Sequence, residues 1–196
     1  MIITITREFG SGGRTIAKKL AEKLGYAYYD YEIVQQIAQE SGFAKEYIEE
    51  NGEDASSTST FGFIWNNYGY NLSDELYIAQ RNVICELADK GNCVIVGRCS
   101  DYILQDKKNN INVYIYSNYE TRLRNCIDIL HMKREEAKTM INKVDKARIS
   151  YHKNFAKFLP DDPEHKDVMI DSGLLGVEGT ARILAQIVTE KFGFVK

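Results

Sequence analysis

Several things are scarce in these 196 residues, and each scarcity removes a class of function. The four cysteines, Cys85, Cys93, Cys99 and Cys126, form no C-x-x-C pair and no other metal-ligand spacing, so they read as reduced core thiols rather than a zinc site or a disulfide framework. His131, His152 and His165 form no pattern. No apolar run is long enough to span a bilayer, and the chain opens directly on a strand-like segment; the expectation is a soluble, cytoplasmic protein. A net charge of −3 excludes a general nucleic-acid binder, leaving only local basic sites. Internal repeats, charge blocks and low-complexity tails are missing too, and the length suits one domain with lobes.

What is present begins at the first residues. Met1 to Thr6 (MIITIT) reads as a buried strand, and Arg7 to Thr15 (REFGSGGRT) leads into an amphipathic helix. A strand, a glycine-rich turn and a helix place successive backbone N–H groups at a helix N-terminus, where anions bind. Against the phosphate-loop pattern G-x-x-x-x-G-K-S/T, Gly13 fills the second glycine position and Thr15 the magnesium-ligand hydroxyl position. Glu8 stands where the first glycine belongs and Arg14 where the lysine belongs. Arginine keeps the charge in a longer, planar fork. Glu8 beside phosphates requires magnesium, a basic partner such as Arg7 or Arg14, or water. A glycine-rich turn without any ligand is the competing reading.

Short apolar runs alternate with helical patterns along the rest of the chain, as in a parallel sheet with helices on both faces. Strands are expected at Ile2 to Thr6, Ala27 to Tyr29, Cys93 to Val96, Asn112 to Tyr116 and Val168 to Ile170. Helices are expected at Arg14 to Leu24, Tyr31 to Glu40, Asp74 to Lys90, Tyr119 to Leu130, Arg134 to Phe158 and Val177 to Phe192. The stretch Asn51 to Leu72 is Ser/Thr-rich, with Phe61, Phe63, Trp65, Tyr68 and Tyr70 in its later half, and reads as an insertion with an aromatic face, a lid or a partner contact.

Further candidates lie where strands end. Arg98 follows the third strand, at the carboxyl edge where ligands bind in open parallel sheets, and is placed to grip an anion. Asp101 reads as a magnesium partner, a base or a helix cap, and Asp30, ending the second strand, as a site residue or a cap. Arg148 interrupts the stripe Ala137, Ile141, Val144, Tyr151, Phe155; it either pairs with Asp145 one turn back or closes over transferring phosphates. Arg122 and Arg124 open their helix against its dipole, which suggests another use such as stacking on a base. Arg81 has no clear face.

Four segments together spell a family: ITITREFGSGGRTIAKKLAEKLGYAYYD, CVIVGRCSDYIL, KVDKARISYHKNF and DVMIDSGLLGVEGTARIL resemble the cytidylate kinase-like proteins, relatives of the nucleoside monophosphate kinases. The resemblance implies an α/β phosphate-loop fold with a five-stranded parallel sheet in the order 2-3-1-4-5, an acceptor-side lobe over about 31–90 and a helical lid over about 131–160. It also implies ATP and Mg2+. Carried over by position, Gly10, Ser11, Gly12, Gly13, Arg14 and Thr15 would hold the ATP phosphates, with Thr15 on magnesium and Arg122 over adenine. Asp30, Arg81, Arg98 and Asp101 would serve the acceptor, and Asp145 with Arg148 would form the D-x-x-R motif of the lid. Relatives have an aspartate directly after the arginine of their G-R-D segment, whereas this chain has Cys99. The activity implied is phosphoryl transfer from ATP to CMP or dCMP; a kinase of the same fold for another nucleotide or metabolite, and a non-catalytic nucleotide-binding module, are the alternatives. Small-molecule nucleotides are the expected partners, without nucleic acid or membrane, and a homodimer is compatible with the sequence.

Overall fold

The computed structural model describes residues 1–31, 33 and 74–193. The helix expected at Tyr31 to Glu40 lies almost wholly outside them, and the Asn51 to Leu72 insertion entirely so. Five strands, β1 (Ile2–Arg7), β2 (Ala27–Tyr29), β3 (Cys93–Val96), β4 (Asn110–Tyr116) and β5 (Val168–Asp171), form one sheet in the order β2-β3-β1-β4-β5. Every pairing is parallel, with Ile2 opposite both Cys93 and Asn110. The order expected from the resemblance is the one observed.

The sheet works because its central strands are apolar on both faces, as a sheet covered on both sides must be. Ile3, Ile5, Val94, Val96, Ile111, Val113 and Ile115 pack against α1 (Gly13–Leu24) and α6 (Ser172–Phe192). Ile2, Cys93 and Ile95 point the other way, against Val83, Ile84 and Leu87 of α2 (Asp74–Asp89) and Leu104. Leu104 follows α3 (Ser100–Ile103), a single turn without enough length to leave a periodic trace in sequence. A third cluster joins α4 (Tyr119–Asp128) to α5 (Arg134–Ala156), with Leu123, Cys126, Ala137, Met140, Ile141 and Val144 enclosing Phe9.

Two boundaries differ from expectation for physical reasons. β4 begins at Asn110, because the ladder to β1 takes in Asn110 and Ile111, and the Asn110 side-chain amide donates to Asn112 Oδ1. α6 begins at Ser172, where Asp171 accepts from the Gly173 amide, and a kink at Gly176 (φ 64°, ψ −177°) separates this first turn from the long helix expected from Val177.

The carboxyl ends of four strands lie along one edge. β1 delivers the phosphate loop, β3 delivers Arg98, and the β4 and β5 ends brace the loop from the far side.

Candidate active site

Hydrogen bonds divide the loop between β1 and α1 into a used and an unused side. Each of its carbonyls is taken: Glu8 O accepts from Ser11 Oγ, Phe9 O from Arg122, Gly10 O from Asn125, Ser11 O from Ser172 Oγ, and Gly12 O from the Ile16 amide. The Glu8 and Phe9 amides are also used, by Ile115 O and by Asp145 Oδ1. The amides of Gly10, Ser11, Gly12 and Gly13, in contrast, donate to nothing among the described residues. A run of unpaired N–H groups with paired carbonyls is an anion receptor, strengthened here by the N-terminal end of α1. That helix has neither a side-chain cap nor an acidic residue in its first turn to compete for the position.

Glycine is required twice in this turn. Gly10 has φ 80°, and a Cβ there would lie 2.7 Å from Arg122 O; a Cβ at Gly13 would lie 2.7 Å from Arg7 Cβ. Gly10→Ala is therefore expected to cost about 1–3 kcal/mol in a urea unfolding titration and to weaken nucleotide binding. Equal stability and equal binding would show that the turn tolerates a side chain.

Glu8 does not face the cradle. Its carboxylate accepts from the Ser117 amide at 3.0 Å and stands 3.5 Å from Arg122 Nε, bracing the loop against the end of β4. Burial raises its pKa, and the Ser117 and Arg122 contacts offset part of that rise. The basic partner demanded by the sequence is thus Arg122, from α4.

Arg122 and Asp145 form the hub of the site. Arg122 also donates to Asp145 Oδ2 and, at 3.4 Å, to Phe9 O. Asp145 Oδ1 accepts from the Phe9 amide at 2.8 Å. Arg148, one turn on, donates to Arg7 O at 3.1 Å and stands 3.9 Å from Asp145, the partner the stripe called for. α5 is in this way laid directly against the phosphate loop. The Arg122 guanidinium is almost fully enclosed in these contacts.

Arg14 and the residues expected on the acceptor side fall into separate groups. Arg14 reaches Asp30 with two nitrogens, at 2.7 and 2.8 Å, and Tyr28 adds its hydroxyl to the same carboxylate oxygen. Asp30 is buried, whereas Arg14 and the neighbouring Thr15 are exposed at the mouth of the cradle. Arg98 lies on a left-handed stretch, Gly97 to Cys99 (φ 79°, 58° and 53°), with its guanidinium 3.7 Å from the Tyr31 ring centre and 5.3 Å from that of Tyr151. Arg81 is exposed on α2.

Asp101, expected to serve the acceptor, is taken up by other side chains of the protein. It is buried against His152 Nε2 at 3.0 Å and against Lys166, whose side chain has no exposed surface. Burial by itself raises a carboxyl pKa, but the His152 and Lys166 contacts prevail and hold Asp101 at about 2. His152 Nδ1 faces Phe158 O at 3.0 Å, so both ring nitrogens meet acceptors. Sequence reasoning left His152 unassigned; its signal was the step of four from Arg148, which puts it on the inward face of α5. Lys166 left no such trace.

These features fit a phosphate-bearing anion. Among the described residues no group of three His, Cys, Asp or Glu side chains could hold a metal, so magnesium here would rest on Thr15, water and the nucleotide's own phosphates. The profile of the family described as cytidylate kinase-like matches residues 2–174, most of the chain. The chain belongs to the cytidylate kinase-like family. No curated protein matches it. Among solved structures, an uncharacterized protein from Eubacterium ventriosum is 27% identical, with 96% of this chain and 98% of that one covered and a TM-score of 0.74. A Thermus thermophilus protein designated TT1252 (14% identity, 98% and 97% covered, TM-score 0.60) and shikimate kinase from Bacteroides thetaiotaomicron (17%, 96% and 98%, TM-score 0.53) share the fold. Membership of this family makes the cytidylate kinase-like chain a phosphotransferase of the phosphate-loop class. Among its described residues no helix is long and apolar enough to cross a membrane.

Proposed function

We propose that this protein transfers the γ-phosphoryl group of ATP, with Mg2+, to the phosphate of a nucleoside monophosphate, CMP or dCMP foremost. The observation that carries the reading is the cradle from Gly10 to Gly13, whose amides are left over while all its carbonyls are satisfied. Such a loop favours polyanions over sugars or bases alone.

Each residue then has a task. The Gly10 to Gly13 amides and Arg14 hold the triphosphate, and Thr15 offers its exposed hydroxyl to the ion. Arg98 binds the acceptor's phosphate, and Arg148 neutralises charge as it spreads over the transferred group. Asp145 is a positioning residue: it sets Arg148, Arg122 and the Phe9 amide relative to one another. Magnesium, when bound, supplies charge neutralisation between phosphates. In this reading the acceptor lobe spans about 31–90 and the lid about 131–160, and the enzyme works in the cytoplasm as a monomer or homodimer.

One observation favours a second acceptor class. Arg14 is turned onto Asp30, and a carboxylate at that edge suits a hydroxyl-bearing metabolite better than a phosphate. A coupled ATPase assay across nucleoside monophosphates and small polyols separates the readings. Turnover dependent on CMP or dCMP supports the first; turnover only with another acceptor replaces it with the second. ATP binding without any turnover makes the protein a regulatory module.

A further inference from the structure

Arg98 stands on strained backbone. Gly97, Arg98 and Cys99 are all left-handed, a run that turns the chain sharply from β3 into α3 and that costs about 1–3 kcal/mol at each residue other than glycine. The guanidinium that this turn presents lies against two tyrosine rings, 3.7 Å from the centre of Tyr31 and 5.3 Å from that of Tyr151. A carboxylate would neutralise a guanidinium; a ring face attracts it and leaves its charge for an anion.

Tyr151 is itself fixed from several sides. It belongs to the C-terminal half of α5, and its hydroxyl donates to Gln80 Oε1 of α2 at 3.4 Å. Its ring meets Phe155 at 4.8 Å, and Phe155 in turn stacks on Tyr77 of α2 at 4.0 Å. Tyr151 also follows Arg148 at a spacing of i to i+3, so the two share one face of α5. Arg148 reaches back to Arg7 O, at the end of β1. One rigid helix thus carries Arg148 at the phosphate loop and, a turn on, the ring against which Arg98 lies.

We infer that Tyr151 is a positioning residue for phosphoryl transfer: its ring face holds the Arg98 guanidinium, and its place on α5 fixes Arg98 relative to Arg148. The inference rests on the nucleoside monophosphate reading above, in which Arg98 binds the acceptor's phosphate. Tyr151 touches neither substrate in this scheme and acts only through Arg98.

The test is steady-state kinetics with CMP and with ATP as the varied substrate, for wild type, Tyr151→Phe, Tyr151→Leu and Tyr151→Met, each with a thermal melt. Tyr151→Phe keeps the ring face and loses only the hydroxyl, so its kcat/KM for CMP is expected to stay within about twofold of wild type. Tyr151→Leu and Tyr151→Met keep apolar bulk without a ring. Their kcat/KM for CMP is expected to fall roughly tenfold, the scale of one lost cation–π contact, while the KM for ATP stays unchanged. In an Arg98→Ala background Tyr151→Leu should add no further loss, because the two act as a unit. Wild-type kcat/KM for CMP in both ring-less variants overturns the inference. So does an equal loss in Tyr151→Phe, an equal rise in the KM for ATP, or a full additional loss in the Arg98→Ala background, each of which would mark a structural tyrosine. If wild type shows no turnover dependent on CMP or dCMP, the nucleoside monophosphate reading fails and this inference falls with it; CMP turnover that the variants leave untouched overturns this inference alone.

Discussion

Arg148→Ala will lower phosphoryl transfer by roughly 10³-fold, the scale of an arginine that stabilises a transferring phosphoryl group, while the circular dichroism spectrum stays that of wild type. The fold is expected to persist because α5 is anchored by other means: Met140, Ile141 and Val144 are buried against α4, and Asp145 still receives the Phe9 amide. What disappears is a cation held 3.1 Å from Arg7 O, at the end of the strand that feeds the cradle. Arg148→Lys is expected to recover only part of the rate, since a point charge does not reproduce a planar fork. Single-turnover measurements with saturating ATP read the effect directly. Wild-type turnover in Arg148→Ala would remove this residue from the chemistry and reduce its role to packing on Phe9.

The second large effect concerns stability. Asp101→Ala is expected to cost about 3–5 kcal/mol, because it leaves a buried charge without its counter-ion. Lys166 has no exposed side-chain surface and His152 almost none, so neither can turn to water once the carboxylate is gone. The pH dependence has a defined sign. Asp101 is held at about 2, below its ordinary 3.8. A depressed carboxyl contributes its full stability above the ordinary value and loses it as pH falls through the folded one. The stability gap between wild type and Asp101→Asn in urea titrations should accordingly be constant above about pH 4 and close towards about pH 2. A gap that persists in acid, or no gap at neutral pH, would show that the cluster does not act through the carboxylate's charge.

How far the sequence reveals the site depends on the range of the interaction involved. The cradle was legible because strand, glycines and helix are adjacent in the chain, and each leaves a local mark. The sheet order came from resemblance, not from periodicity, since alternating apolar runs say nothing about which strand lies beside which. Glu8 was opaque for the opposite reason. Taken with its sequence neighbours it reads as set against phosphate, and only Ser117 and Arg122, more than a hundred residues away, give it a place. Asp101 was read as a site residue or a cap because it follows a strand end. Its actual partners lie on α5 and before β5, where no local pattern could signal them.

The contacts that satisfy the cradle's outer side share one property, which bears on how the protein is made. Arg148 reaches back 141 residues to Arg7, Asp145 136 to Phe9, Asn125 115 to Gly10, and Ser172 161 to Ser11. The segment translated first is thus shaped by segments translated last. A nascent chain that has not yet released Ser172 holds the glycines of the cradle together with Arg122 and Asn125, but lacks the hydroxyl that takes the Ser11 carbonyl. Nucleotide affinity is therefore expected to arrive late in synthesis, and C-terminal truncations ending before Ser172 should bind ATP far more weakly than the full chain, even where β1 and α1 have formed. The cradle is in this way completed only once the chain has been made as far as α6.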